Sequence, residues 1–146
     1  MVFEGGGNMS WDIWIIRTKT NTEEYKQINE TNCIPISRDE LLASWKVIEK
    51  TLNVSIEDEE SEYPHLRGIG WSIEAYLNGE YETDKSLNLE IRGNECPTEA
   101  IGMMTDLLKA RAFDTVTDRF LDVMQTSGFE VWKSFNKRAC DVINNN

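Results

Sequence analysis

The chain has 146 residues, 15 of them Lys or Arg and 26 Asp or Glu, giving a formal net charge of −11 and a pI near 4.5. That length suits one domain with a real core and is short for two, and 40% hydrophobic with 10% aromatic residues set the chain apart from a disordered acidic tail. So acidic a surface is repelled by phosphate backbones and anionic lipid, which argues against direct nucleic-acid or membrane binding and favours basic partners, either another protein or cations.

Residues 1–8 lack the basic and apolar parts of a signal peptide. Patterned sequence starts at Met9, which reads as the native or an alternative start, so residues 1–8 are expected to be a disordered extension and 9–146 a single α+β domain. No apolar run approaches the roughly 18–20 residues that span a bilayer. Cys33, Cys96 and Cys140 are odd in number and widely spaced, which suits semi-buried thiols in a reducing cytoplasm.

The first element is a strand over 11–18, apolar and aromatic with a charge at each end. Residues 19–36 are polar and read as a loop. Ser37-Arg38-Asp39-Glu40 forms a capping box, and Leu41, Leu42, Trp45, Ile48 and Leu52 follow at helical spacing, which predicts a helix over 38–52. Glu57-Asp58-Glu59-Glu60-Ser61-Glu62 repels itself and reads as a solvated loop. Ile69, Trp71, Ile73, Ala75 and Leu77 alternate with Gly70, Ser72, Glu74 and Tyr76, the period of a half-buried strand. Asn78-Gly79 signals a turn within a wide connection, and Leu87, Leu89 and Ile91 carry the returning strand. Pro97 opens a helix to about 110, whose buried stripe is assigned to Ile101, Met104, Leu107 and Leu108. A short strand is expected over 112–116, residues 118–124 are ambiguous, and a final amphipathic helix over 130–143 presents Val131, Phe135, Ala139 and Val142 before a frayed Asn tail.

The first six elements match an antiparallel sheet in split β-α-β, ferredoxin-like order, with helices on one face and a C-terminal helix added. The other face carries Glu74, Tyr76, Glu90 and Arg92, or is covered by the last helix. The tryptophans Trp11, Trp14, Trp45, Trp71 and Trp132 are assigned to packing.

Charge is unevenly spread. Residues 1–56 hold 8 acidic and 6 basic groups, residues 57–99 hold 12 and 3, and residues 100–146 hold 6 of each. The middle block therefore carries a net −9 and is the candidate surface for a basic partner. Its acidic positions are Glu57, Asp58, Glu59, Glu60, Glu62, Glu74, Glu80, Glu82 and Asp84. Tyr63, Tyr76 and Tyr81 lie on polar stretches within it and suit interface anchors.

Catalytic signals are weak. His65 is the sole histidine and stands away from any cysteine pair, so it cannot make a standard zinc site. There is no GxSxG, P-loop or strand-linked GxGxxG motif. Glu74 and Glu90 could face each other and hold magnesium in a small hydrolase, but nuclease chemistry wants basic surface nearby and this block is the most acidic of the chain. The reading from residues alone is a non-catalytic binding protein without a metal or cofactor, with an acidic inhibitor or nucleic-acid mimic as the alternative and a metal-dependent hydrolase behind it.

Three stretches taken together point further. Met9-Ser10-Trp11-Asp12-Ile13-Trp14, Leu87-Asn88-Leu89-Glu90-Ile91-Arg92-Gly93, and Pro97-Thr98-Glu99-Ala100-Ile101 running on to Ala112-Phe113-Asp114-Thr115 resemble small bacterial immunity proteins of polymorphic toxin systems, including contact-dependent growth inhibition. The resemblance spans about residues 9–116. It implies a cytoplasmic protein that binds and neutralises a cognate toxin domain without catalysis. Many such toxins are nucleases with basic clefts, which an acidic surface can engage. Immunity families keep no common binding residues, so the positions named above rest on charge alone.

Overall fold

A computed structural model describes residues 10–76, 87–95 and 97–121. They form an α+β structure: a seven-stranded antiparallel sheet with two α-helices. In chain order these are β1 (Trp11–Ile16), α1 (Arg38–Thr51), β2 (Ser55–Glu57), β3 (His65–Gly68), β4 (Trp71–Ala75), β5 (Leu87–Gly93), α2 (Thr98–Leu108), β6 (Arg111–Asp114) and β7 (Arg119–Leu121), with a short 3-10 turn at Tyr25–Gln27. The sheet order is β2-β3-β4-β5-β1-β6-β7.

β1 is an interior strand of this order, paired with β5 on one side and β6 on the other. Its register sets Trp11, Ile13 and Ile15 opposite Ile91, Leu89 and Leu87. Because side chains alternate along a strand, all six point to one face. Ile73 and Ala75 of β4, Leu66 of β3 and Ala112 of β6 join them. Leu41, Leu42, Trp45 and Ile48 of α1 and Ala100, Ile101, Met104 and Leu108 of α2 close over that face as one buried cluster. Burying a side chain of this size stabilises the fold by about 1.5–3 kcal/mol.

The other side of β1 is split along its length. Ile16 packs with Ile28 and Phe113, flanked by Trp14, Cys33 and Phe120. Tyr25 stacks on Phe113 with ring centroids 4.3 Å apart, so the 19–36 segment lies over this half. The half that includes Asp12 has no such cover among the described residues.

Several expectations are corrected here. Ile69 lies outside the fourth strand, in the two-residue β3–β4 turn, and is 74% exposed. The cause is Gly70, whose φ of 83° gives the chain the reversal it needs. The turn reaches β5 so closely that a Cβ on Gly93 would sit 2.1 Å from the Gly70 carbonyl oxygen. The acidic run is only partly a loop, since Glu57 belongs to β2. Leu107 is 42% exposed, because the buried stripe of α2 runs through Ile101, Met104, Thr105 and Leu108, the i, i+3, i+4, i+7 set. Pro97 is the N-cap of α2, one place before its first turn. The ambiguous 118–124 stretch contributes β7. The Asn78-Gly79 turn and the 130–143 helix lie outside the described residues. No helix among the described residues is long and apolar enough to cross a membrane.

Two polar contacts fix the ends of the core. The Ser37 hydroxyl accepts from the Glu40 amide at 3.2 Å, and the Glu40 carboxylate accepts from the Ser37 amide at 3.2 Å. Arg17 also grips that carboxylate at 2.7 and 3.1 Å and donates to the Pro35 and Leu108 carbonyls, joining β1's end to both helices. Buried Asp114 accepts from the Trp11 indole at 2.8 Å, the Val116 amide at 2.8 Å and the Thr117 hydroxyl at 2.9 Å, which shapes the β6–β7 turn.

Hydrogen bonding from Arg17 holds the Glu40 carboxyl down at about 2, against 4.5 in the unfolded chain. A depressed carboxylate contributes stability that is fully present above the unfolded value and is lost as pH falls toward the folded one. The contribution should fade between pH 4.5 and 2. Glu40 is 44% exposed. Solvent screening therefore limits its worth to about 1 kcal/mol. Acid denaturation of Arg17→Met should show a shallower slope across that window than the parent chain. Asp114→Ala strips partners from a buried indole and a turn amide and should cost about 2–4 kcal/mol in urea denaturation. A loss under about 0.5 kcal/mol would remove Asp114 from the scaffold.

Candidate functional site

Cross-strand register builds the Asp12 half of the sheet's far face, which no described helix covers, into a charged row. Glu57 pairs with His65, His65 with Glu74, Glu74 with Glu90, and Glu90 with Asp12, across β2, β3, β4, β5 and β1. Directly opposed residues share a face, so four carboxylates and the single imidazole stand side by side, away from the helices. Like charges opposed in this way destabilise a sheet unless something compensates them.

Arg92 supplies most of that compensation. One guanidinium nitrogen reaches Glu74 at 3.1 Å and the other reaches Glu90 at 2.6 Å. The Tyr76 hydroxyl donates to the second oxygen of Glu90. Burial, then that hydrogen bond and the Glu90 charge, push the Tyr76 phenol well above its ordinary value, so it remains a donor throughout the accessible pH range. Asp12 accepts from the Ser10 hydroxyl at 3.2 Å. Burial raises its carboxyl, against the lowering effect of the Ser10 bond and with a further push from the Glu90 charge.

The acidic turn stands beside this row. Asp58 has φ 54°, a conformation that Asp tolerates better than most residues. Its carbonyl accepts from the Ser61 amide at 3.0 Å, and the Ser61 hydroxyl accepts from the Tyr63 amide at 3.0 Å. Arg38, at the start of α1, donates to the Ser61 carbonyl at 2.7 Å and to the Glu59 carbonyl. Tyr63 is 40% exposed and packs edge-on against Tyr76, with centroids 5.2 Å apart. The turn is thus anchored to α1 by backbone and to the sheet by an aromatic pair.

The sequence-derived positions separate into groups. Asp58, Tyr63, Glu74 and Tyr76 come together on one side of the molecule. Glu57 joins the same row but is ion-paired with Arg67 at 3.0 Å. Glu59 is engaged by Lys46 of α1 at 3.1 Å. Glu60 and Glu62 are exposed and have no basic partner among the described residues. Glu80, Tyr81, Glu82 and Asp84 lie outside the described residues. Charge counting alone missed Asp12 and His65 as members of the row, and Arg92 as its clamp. Strand parity does place Arg92 on this face and could have flagged Asp12, which alternates with core residues of its strand. His65 gave no such signal.

The magnesium arrangement considered for Glu74 and Glu90 meets an obstacle in Arg92, whose guanidinium already bridges both. Among the described residues, no group of three or more His, Cys, Asp or Glu side chains is gathered to hold a metal.

Comparison of the chain with protein-family models, with curated proteins and with solved structures finds no match.

Arg92→Met should expose the repulsion in the row. Loss of the guanidinium leaves two half-buried carboxylates opposed, at an expected cost of about 1–3 kcal/mol in chemical denaturation at neutral pH. Adding Glu90→Gln should recover part of that loss. If the double variant is no more stable than Arg92→Met alone, the clamp is not electrostatic.

Proposed function

We propose that this chain is an immunity-type inhibitor that binds a basic toxin domain in the cytoplasm through the acidic turn and the charged half of the sheet's far face. The observation that carries the reading is the meeting, on one side, of a five-residue charged row with a turn whose Asp58, Glu60 and Glu62 are exposed and lack a Lys or Arg partner among the described residues. Acidic surface of this kind speeds capture of a cationic partner by steering it during diffusion. Tyr63, exposed at the junction of turn and sheet, has the amphipathic ring that anchors interfaces once water is displaced. Glu57 and Glu59, being paired internally, shape the turn more than they steer. Glu80, Tyr81, Glu82 and Asp84 extend the surface on the ground of sequence alone.

The proposal also takes in the split β-α-β order that the element sequence suggests. We read β4-β5-β1-β6 with α1 and α2 as the split β-α-β plan, with β3 and β2 added outside β4 and β7 outside β6. The strand order and the single helical layer support that reading. The bridging of Glu74 and Glu90 by Arg92 favours a binding surface over metal-assisted hydrolysis.

The partner to test is the protein encoded immediately upstream of this chain's gene, the usual position of a toxin relative to its immunity protein. Reversing Asp58, Glu60 and Glu62 to Lys should slow association in stopped flow about tenfold or more and change dissociation little. Tyr63→Ala should act mainly on dissociation, with a loss of about 1–3 kcal/mol in affinity. Unchanged kinetics in both variants, with binding otherwise intact, would move the interface elsewhere.

A further inference from the structure

The turn that carries the exposed acids is fastened on the α1 side by Arg38, through the carbonyls of Glu59 and Ser61. On the sheet side it meets His65. The imidazole Nδ1 lies 3.6 Å from the Asp58 carboxylate and Nε2 lies 3.4 Å from the Glu74 carboxylate. Both ring nitrogens thus face carboxylate oxygens. A neutral imidazole has one N–H and one lone pair, so it can donate to one of these acids only and must turn its lone pair toward the other. The Nδ1 atom is buried and makes no hydrogen bond. The doubly protonated ring can donate on both sides.

Charged groups stand round the ring on several elements. Glu57 of β2 is the register partner of His65, and Asp58 faces it from the turn. Glu74 faces it from β4, with Glu90 behind on β5. The opposing cations are Arg67, two residues along β3 and engaged by Glu57, and Arg92, which shares Glu74 and Glu90. Asp58 itself is held at positive φ.

We propose that His65 is a proton-operated latch, which ties Asp58 of the acidic turn to Glu74 of the sheet when the imidazole takes up its second proton. Imidazole is the side chain whose charge ordinarily changes between about pH 5 and 8. In the protonated state the turn is fastened at both ends, by Arg38 and by His65, and the charges of Asp58 and Glu74 are partly neutralised. In the neutral state the Asp58 end is released and its carboxylate is free to meet solvent. The latch contributes stability while the ring is doubly protonated and loses it as pH rises and the second proton leaves. Its bearing on partner capture rests on the binding surface proposed above. The latch itself does not.

Hydrogen exchange on the isolated full-length chain tests it, so failure of the latch and failure of the binding surface are read separately. The Ser61 and Tyr63 amides report on the turn, since both donate within it. After correction for intrinsic rates, their protection should be about three- to fivefold greater at about pH 5.5 than at about pH 8. The single imidazole gives one clean set of nitrogen resonances, which should show both nitrogens protonated at the lower pH. His65→Gln should abolish the pH difference. Asp58→Asn, a change at an exposed turn position, should abolish it while leaving the ring beside Glu74, and it carries the test if the His65 variant fails to fold. A pH difference that survives either substitution in a folded chain, or protection greater at the higher pH, overturns the latch.

Discussion

The antiparallel pairing of β1 with both neighbours is the constraint on which the rest hangs. A strand bonded on both sides and lined with Trp11, Ile13 and Ile15 must bury that face, and α1 and α2 are the elements that do so. The same strand sets what happens behind the sheet. At its C-terminal end, Trp14 and Ile16 demand an apolar cover, which Tyr25, Ile28 and Cys33 help to provide. At its N-terminal end Asp12 demands none. One strand therefore divides the far face into a closed aromatic half and a charged half, and the candidate surface is a by-product of that division.

How the charged half is organised follows from register more than from composition. The Asp12–Glu90–Glu74 alignment would be adverse in isolation, and Arg92, Tyr76 and His65 are spaced to answer it. The acidic turn is treated similarly, with Arg38, Lys46 and Arg67 each taking up a carbonyl or carboxylate. Local neutralisation thus covers the groups nearest the core and leaves the outermost acids, Glu60 and Glu62, to solvent. Among the described residues of this turn, unpaired charge is consequently concentrated on its outer acids.

The elements legible in the sequence were those with strong local signals. The capping box at Ser37, the period-2 runs of β4 and β5 and the apolar opening of β1 each carry enough residues to reveal their period. β2, β3 and β7 run three or four residues with at most one fully buried side chain, so no period can emerge from them. Ile69 continued the apparent alternation of β4, and only the conformation of Gly70 turns it out to solvent. For the site, parity correctly grouped Glu74, Tyr76, Glu90 and Arg92 on the face away from the helices. The pairings that give the group its character, His65 with Asp58 or Lys46 with Glu59, join residues 7 and 13 apart in sequence that only the folded turn brings together.

The opposed carboxylates have a consequence for the protein when it is alone. A face arranged to attract a cationic partner is, without that partner, a face that repels itself, and dissolved ions screen both effects. Within the Debye length of about 8 Å at physiological ionic strength, the row and the turn feel each other, and added salt quiets them. Raising the salt concentration should therefore relax the repulsion among the outer acids of the turn while it weakens long-range capture, so that this turn and the encounter complex respond to the same ions in opposite directions.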